Sequence, residues 1–219
     1  MIKLDKRLSA CVSLVEKGSF AADVGTDHAY IPIWLVKNNV CSRCVASDVN
    51  AGPVESAKKN IALNGVSENV TVVCANGLED GAFDGCDNII IAGMGGELIA
   101  EILDKTDRPK SASRLILQPM TKQDTLRRYL WDNGYEIIYD EPIEADRLYQ
   151  LFAARYIGEK TEYTELDTQI GKHENISRGV ASLVRARISA LEKSARGTEI
   201  SGGDPSKVRK LIKELENLL

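Results

Sequence analysis

An α/β domain with a doubly wound, mostly parallel seven-stranded sheet, followed by a C-terminal antiparallel helical hairpin, is the fold the sequence predicts. Three observations predict it. Apolar strand-like runs alternate with helical stretches through the first 131 residues. Two more strand-like runs then follow each other with only a short loop between them. Beyond about residue 160 strand formers thin out, and apolar residues recur at spacings of three and four.

The elements follow in order. An opening helix covers residues 4–15, and strands are expected at 19–24, 43–47, 70–74, 88–92 and 114–117. Helices at 31–37, 53–63, 97–103 and 124–131 separate them, each with apolar residues at helical spacing. Such alternation implies right-handed crossovers, with helices on both faces of a parallel sheet. Runs at 135–141 and 148–156 have no helix between them, so they pair as a final antiparallel hairpin. Val180, Leu183, Val184, Ile188 and Leu191 form one apolar stripe. A glycine-rich turn at 197–203 stops that helix, Asp204 is placed to N-cap the next, and Pro205 takes its first position. Val208, Leu211, Ile212, Leu215, Leu218 and Leu219 form the second stripe, completing a hairpin of coiled-coil type. The division is therefore residues 1–160 as a ligand-binding domain and 161–219 as an appendage.

Composition narrows the class. At 219 residues, 43% hydrophobic and 27% charged, the chain is globular. No apolar run approaches the roughly 20 residues of a bilayer span, and the amino terminus is charged rather than signal-like, so a cytoplasmic protein is expected. The net charge of −4 argues against indiscriminate polyanion binding. Residues 161–219 carry 10 Lys and Arg against 9 Asp and Glu, which makes the appendage the less acidic part. Five cysteines without a secretion signal read as reduced thiols, with Cys44 and Cys74 as small buried residues in strands. Cys41-Ser-Arg-Cys44 has the spacing of half a zinc site, yet the only histidines are His28 and His173 and no second pair follows, so no metal is expected.

Candidate ligand residues fall at the carboxyl ends of successive strands, where open parallel sheets bind small molecules. The first strand ends in Asp23-Val-Gly25-Thr26-Asp27-His28. A dinucleotide loop has glycine at position 27 and offers bare amides to a pyrophosphate. Here two carboxylates stand instead, which suits a cation better than a phosphate. S-adenosylmethionine carries a sulfonium and an ammonium and no phosphate. Asp48, 25 residues after Asp23, is placed to accept hydrogen bonds from ribose hydroxyls, though such a residue is more often a turn or helix cap. Asn76-Gly77 is placed to face an adenine edge, or is simply a turn. Gly93-Met94-Gly95, after Ile89-Ile-Ile-Ala92, permits close backbone approach in a strand-to-helix turn and adds a polarizable contact. Thr26 and Val49, beside these residues, complete the candidate cofactor contacts. The fourth strand lacks the Asn/Asp-Pro-Pro-aromatic motif that grips an exocyclic amine, which favours a ring nitrogen as the methyl acceptor.

Asp23-Val-Gly-Thr-Asp-His-Ala-Tyr-Ile-Pro32, Ile91-Ala-Gly-Met-Gly-Gly96 and Leu117-Gln118-Pro119, with Arg7-Leu8 upstream and a helical hairpin downstream, resemble the TrmK family of bacterial tRNA adenine-N1 methyltransferases. The resemblance spans the chain. It implies a Rossmann-like class I methyltransferase fold, S-adenosylmethionine as cofactor, tRNA as partner, methylation of N1 of adenosine 22, and substrate contacts by Arg7, Gln118 and Pro119. Met120 stands where an asparagine is expected after Gln-Pro, and Asp48 where glutamate is common.

Charge then suggests the chemistry. Adenine becomes cationic as its N1 takes the methyl group, so a nearby carboxylate stabilises it. Asp27 is the candidate, with His28 orienting it; both can instead serve only the cofactor or a helix N-terminus. Lys3, Lys6, Arg7, Arg127, Arg128 and the basic residues of the hairpin are candidate phosphate contacts. A monomer or weak dimer is expected. Competing readings are a small-molecule or protein methyltransferase and a non-enzymatic protein that binds a partner through the hairpin. A nicotinamide dehydrogenase is disfavoured by Asp27.

Overall fold

A computed structural model describes residues 2–219. Its strands are β1 Phe20–Val24, β2 Arg43–Asp48, β3 Val70–Cys74, β4 Asn88–Gly95, β5 Arg114–Thr121, β6 Tyr135–Glu144 and β7 Leu148–Tyr156. They form one sheet in the order β3-β2-β1-β4-β5-β7-β6. β1 to β5 are mutually parallel, and β7 inserts antiparallel between β5 and β6. The helices are α1 Lys6–Ser13, α2 Tyr30–Lys37, α3 Ala51–Leu63, α4 Gly96–Asp104, α5 Arg108–Ser111, α6 Gln123–Asp132, α7 Glu165–Ile170, α8 Arg178–Ile200 and α9 Ser206–Glu216.

The central strands are apolar throughout because both of their faces are covered. In β4, Ile89 and Ile91 point into one core with Phe20, Ala22, Leu115 and Phe152, while Ile90 points into the other with Ala21, Ile33 and Ile116. Each such buried isoleucine contributes about 1.5–3 kcal/mol of transfer free energy. Parallel β1 to β5 all finish at the same sheet edge, and that is what gathers their terminal residues into one region.

Several expectations are corrected. Cys74 is exposed rather than buried, since it ends β3 at the sheet margin; Cys44, one strand further in, is buried. The 197–203 segment is not all turn. α8 continues through Gly197 to Ile200 and closes at Gly202, whose φ of 77° lets Gly202 N–H reach Glu199 O at 3.0 Å and Gly203 N–H reach Thr198 O at 2.8 Å. α9 begins one residue later than expected, with Pro205 as its N-cap and the Asp204 carboxylate accepting from Ser206 N. The strand-to-helix turn expected at Gly93–Gly95 is instead a bulged end of β4, with Met94 beside Pro119 and Gly95 beside Thr121. α7 was not anticipated.

α8 and α9 pack on each other through Val180, Leu183, Val184, Leu211 and Leu215, with α7 closing the cluster through Ile170. Leu219, counted in the second stripe, is exposed. No helix among the described residues is long and apolar enough to cross a membrane.

Candidate functional site

The turn after β1 is built by glycine and threonine. Gly25 has φ of 80°, and a Cβ there would lie 1.9 Å from Cε of Met94, so side-chain-free backbone is needed on both counts. Its N–H and that of Thr26 both donate to the carbonyl of Ser47, at 2.8 and 2.7 Å. Thr26 Oγ1 accepts from Ala29 N at 3.0 Å, holding Ala29 in a left-handed conformation just ahead of α2. The amides of Gly25 and Thr26, the ones a phosphate would use, are therefore consumed inside the fold.

Carboxylates remain. Asp23 is buried at the end of β1 and pairs with no cationic side chain among the described residues. Burial pushes its carboxyl up to about 6, opposed in part by a hydrogen bond with Thr26. A carboxylate buried without a counter-charge is neutralised either by a proton or by a cationic ligand. Asp27 and His28 stand on the rim, Oδ2 to Nε2 at 3.2 Å, and the His28 ring stacks on Tyr30 at 5.1 Å between centroids. Together these residues line a cleft of about 390 Å³, closed on the far side by Asp5, Arg7, Leu8, Ala92 and Gly93. Tyr30 and Leu8 belong to motifs of the family resemblance without an assigned contact, and Asp5 carries no assignment from sequence. An aromatic residue immediately after the Asp-His turn was the available signal for Tyr30.

The far wall is held by one buried amide. Gln118, fully buried in β5, accepts on Oε1 from Arg7 Nη1 at 2.8 Å and from Gly93 N at 3.2 Å. Its Nε2 donates to Pro119 O at 3.1 Å. Gly93 takes φ of 84° in the β4 bulge, and Arg7 Nη1 lies 3.5 Å from where its Cβ would be. Gln118 and the buried Pro119 thus stand behind the cleft wall, and only Arg7 of the three expected substrate contacts faces the cleft.

A second group lies at the ends of β2 and β3. Asp48 Oδ1 accepts from Asn50 N at 2.8 Å, the turn-capping task, while Val49 exposes an apolar side chain beside it. Asn76 donates to Glu79 Oε1 at 3.3 Å, and Gly77 takes φ of 60° against Ile102. This group adjoins the β1 turn through the pairing of Val24 with Ser47 and of Asp48 with Cys74.

One expected phosphate contact is corrected. Arg127 is fully buried, donating from Nε and Nη2 to Asp140 at 2.7 and 2.8 Å, from Nη2 to Gln150 at 2.6 Å and from Nη1 to Thr168 O at 3.0 Å. It joins α6, β6, β7 and α7 and cannot reach solvent. Arg128 is engaged by the Glu165 carboxylate at 2.5 and 2.6 Å. Both arginines fasten α7 to the sheet.

A doubly wound sheet closed by an antiparallel β7, with an acid-flanked glycine turn at the end of β1, defines a methyltransferase domain. The methyltransferase-domain family matches residues 4–152. The chain belongs to that family and, within it, to the TrmK family. It is 36% identical over 155 residues to the tRNA (adenine(22)-N(1))-methyltransferase of Bacillus subtilis, a match covering 70% of this chain. The chain spans 65% of the length of that relative. Among solved structures, M. capricolum TrmK in complex with S-adenosyl-homocysteine superposes with a TM-score of 0.82 at 28% identity, covering 99% of both chains. The Streptococcus pneumoniae protein Sp1610 in complex with S-adenosyl-L-methionine superposes with a TM-score of 0.85 at 31% identity, covering 97% of this chain and 99% of that one.

Proposed function

We propose that the chain binds S-adenosylmethionine and transfers its methyl group to N1 of adenosine 22 of tRNA. One observation carries the reading: the turn of a TrmK-family chain spends its amides on Ser47 and leaves the buried carboxylate of Asp23 without a cationic partner, as a cationic cofactor requires. The relatives' named substrate supplies the rest. S-adenosylmethionine supplies an activated methyl group on a sulfonium.

The chain's residues then bind and orient. Asp23, Gly25 and Thr26, with Gly93, Met94 and Gly95, form the site for the charged end of the cofactor. Asp48, Val49, Asn76 and Gly77 would hold its nucleoside, Asp48 by accepting from ribose hydroxyls and Val49 by an apolar contact with the adenine. Asp27 stabilises the positive charge that arrives on the target base, and His28 holds Asp27 in place. Gln118 and Pro119 support the wall against which the base lies, and Arg7 contacts substrate. Residues 1–160 are the catalytic domain and 161–219 an appendage for RNA. The protein acts in the cytoplasm as a monomer or weak dimer, without a metal.

The test is incorporation of labelled methyl from S-adenosylmethionine into unmodified tRNA, compared with protein and small-molecule pools. Label confined to tRNA is expected. Label in either other pool supports a different methyltransferase, and failure to bind S-adenosylmethionine supports a non-enzymatic partner-binding protein.

A further inference from the structure

We infer that Arg147, held over the Tyr149 ring in the turn between β6 and β7, is a phosphate-binding site that takes the RNA backbone beside the methylated base. The inference rests on the tRNA reading above. Arg147 lies in the tight turn between β6 and β7, where its carbonyl accepts from Ala145 N at 3.0 Å. Its Cζ sits 4.9 Å from the centre of the Tyr149 ring, and that of Arg7 sits 5.8 Å from the same ring. The ring itself is fixed, because the Tyr149 hydroxyl donates to the Asp146 carboxylate at 3.0 Å.

Contact leads from Arg147 to the cleft wall. Its Nη2 lies 3.7 Å from Sδ of Met120, that sulfur lies 3.6 Å from Nε2 of Gln118, and Gln118 holds both Arg7 and Gly93. The turn therefore stands beside the end of β5, joined to the cleft wall through Met120 and Gln118. On count the charges here do not favour an anion, Arg7 and Arg147 standing against Asp5, Asp146 and Glu144 at the end of β6. The donors do.

Arg7 has Gln118 and Asp5, and Asp146 has Tyr149. Among the described residues Arg147 has no carboxylate and no oxygen acceptor, only the thioether of Met120. A guanidinium stacked on an aromatic ring uses one face and keeps its in-plane N–H groups free. That planar fork matches two oxygens of a phosphate, and the ring holds it in position before RNA arrives. Met120 replaces the asparagine expected after Gln118-Pro119. Its sulfur is a weak acceptor at 3.7 Å from Nη2, one that a phosphate oxygen displaces.

The test compares wild type with Arg147→Gln and Arg147→Lys. Arg147 is exposed, so both variants are expected to fold. For Arg147→Gln, tRNA affinity should fall about five- to tenfold. The slope of log affinity against log salt should become shallower by about 0.7–0.9, the value of one phosphate contact. KM for tRNA should rise with kcat nearly constant, and S-adenosylmethionine affinity should not change. Arg147→Lys should keep the wild-type slope while losing part of the affinity, since it keeps the charge without the fork. An unchanged slope and affinity in Arg147→Gln, with wild type binding tRNA, overturns this site alone. A wild-type protein that does not bind tRNA overturns the functional reading and the site with it.

Discussion

Nη1 of Arg7 donates to Oε1 of Gln118 across 2.8 Å, joining residues 111 positions apart in the chain. The same oxygen accepts from Gly93 N, so one buried amide fixes helix α1, the bulge of β4 and the end of β5 around the cleft. Gln118→Leu preserves bulk but strands both donors, and should cost about 1–3 kcal/mol of stability. Gln118→Glu keeps the acceptor for Arg7 but turns a carboxylate oxygen toward the Pro119 carbonyl, so it should also be destabilised, by less than the leucine variant. Thermal melts with and without S-adenosylmethionine check both, and the leucine variant should also lose most of its cofactor-induced stabilisation.

Asp23 yields a pH prediction. Its folded carboxyl lies at about 6 against the ordinary 3.8, so the folded protein binds the proton more tightly than the unfolded chain. Stability from this group is thus greatest below about pH 4, falls as pH rises to about 6, and is then lower by about 3 kcal/mol. Asp23→Asn removes that cost and should raise stability at pH 7.5, while weakening S-adenosylmethionine binding. In wild type the proton competes with the cationic ligand, so affinity measured by calorimetry should fall as pH drops below about 6. A flat profile from pH 7.5 to 5 contradicts the assignment of Asp23 to the charged end of the cofactor.

Arg127 anchors the C-terminal helices. Arg127→Met leaves Asp140 buried without its partner and should cost about 3–5 kcal/mol. For a chain of this size that is a fall in melting temperature on the order of 10 °C. Adding Asp140→Leu removes the stranded charge and should restore much of the loss. Because Arg127 is buried, the double variant should keep the wild-type salt dependence of tRNA binding, which filter-binding titrations would report.

The turn at Asp23–His28 was legible because its departures are local: two carboxylates stand where a phosphate loop needs bare amides. What the sequence could not carry is the capture of Gly25 and Thr26 N–H by Ser47, a tertiary contact between β1 and β2. Arg127 reads as surface in any linear scan, and only the hairpin of β6 and β7 brings Asp140 and Gln150 around it. α7 carries its own start signal in the sequence. Thr164 and Asp167 form a reciprocal capping box, two polar residues at the spacing that starts a helix. The left-handed Ala29 and Lys122 left no such mark, since neither is a residue that favours that backbone.

Asp27 separates chemistry from binding. Asp27→Asn removes the charge and keeps the size. If Asp27 stabilises the methylated base, kcat should fall on the order of 100-fold while the dissociation constant for S-adenosylmethionine changes little. Weakened cofactor binding with kcat intact would assign Asp27 to the cofactor instead. Single-turnover rates and calorimetry on the same preparation distinguish the two.

The most direct test of the central claim is to methylate unmodified tRNA with the purified protein and map the modified nucleotide by mass spectrometry of nuclease fragments. One methyl group at N1 of adenosine 22, and none in a tRNA carrying guanosine there, is the predicted result. A methyl group on another nucleotide or another atom of that base, or equal incorporation into the guanosine-22 tRNA, would contradict it.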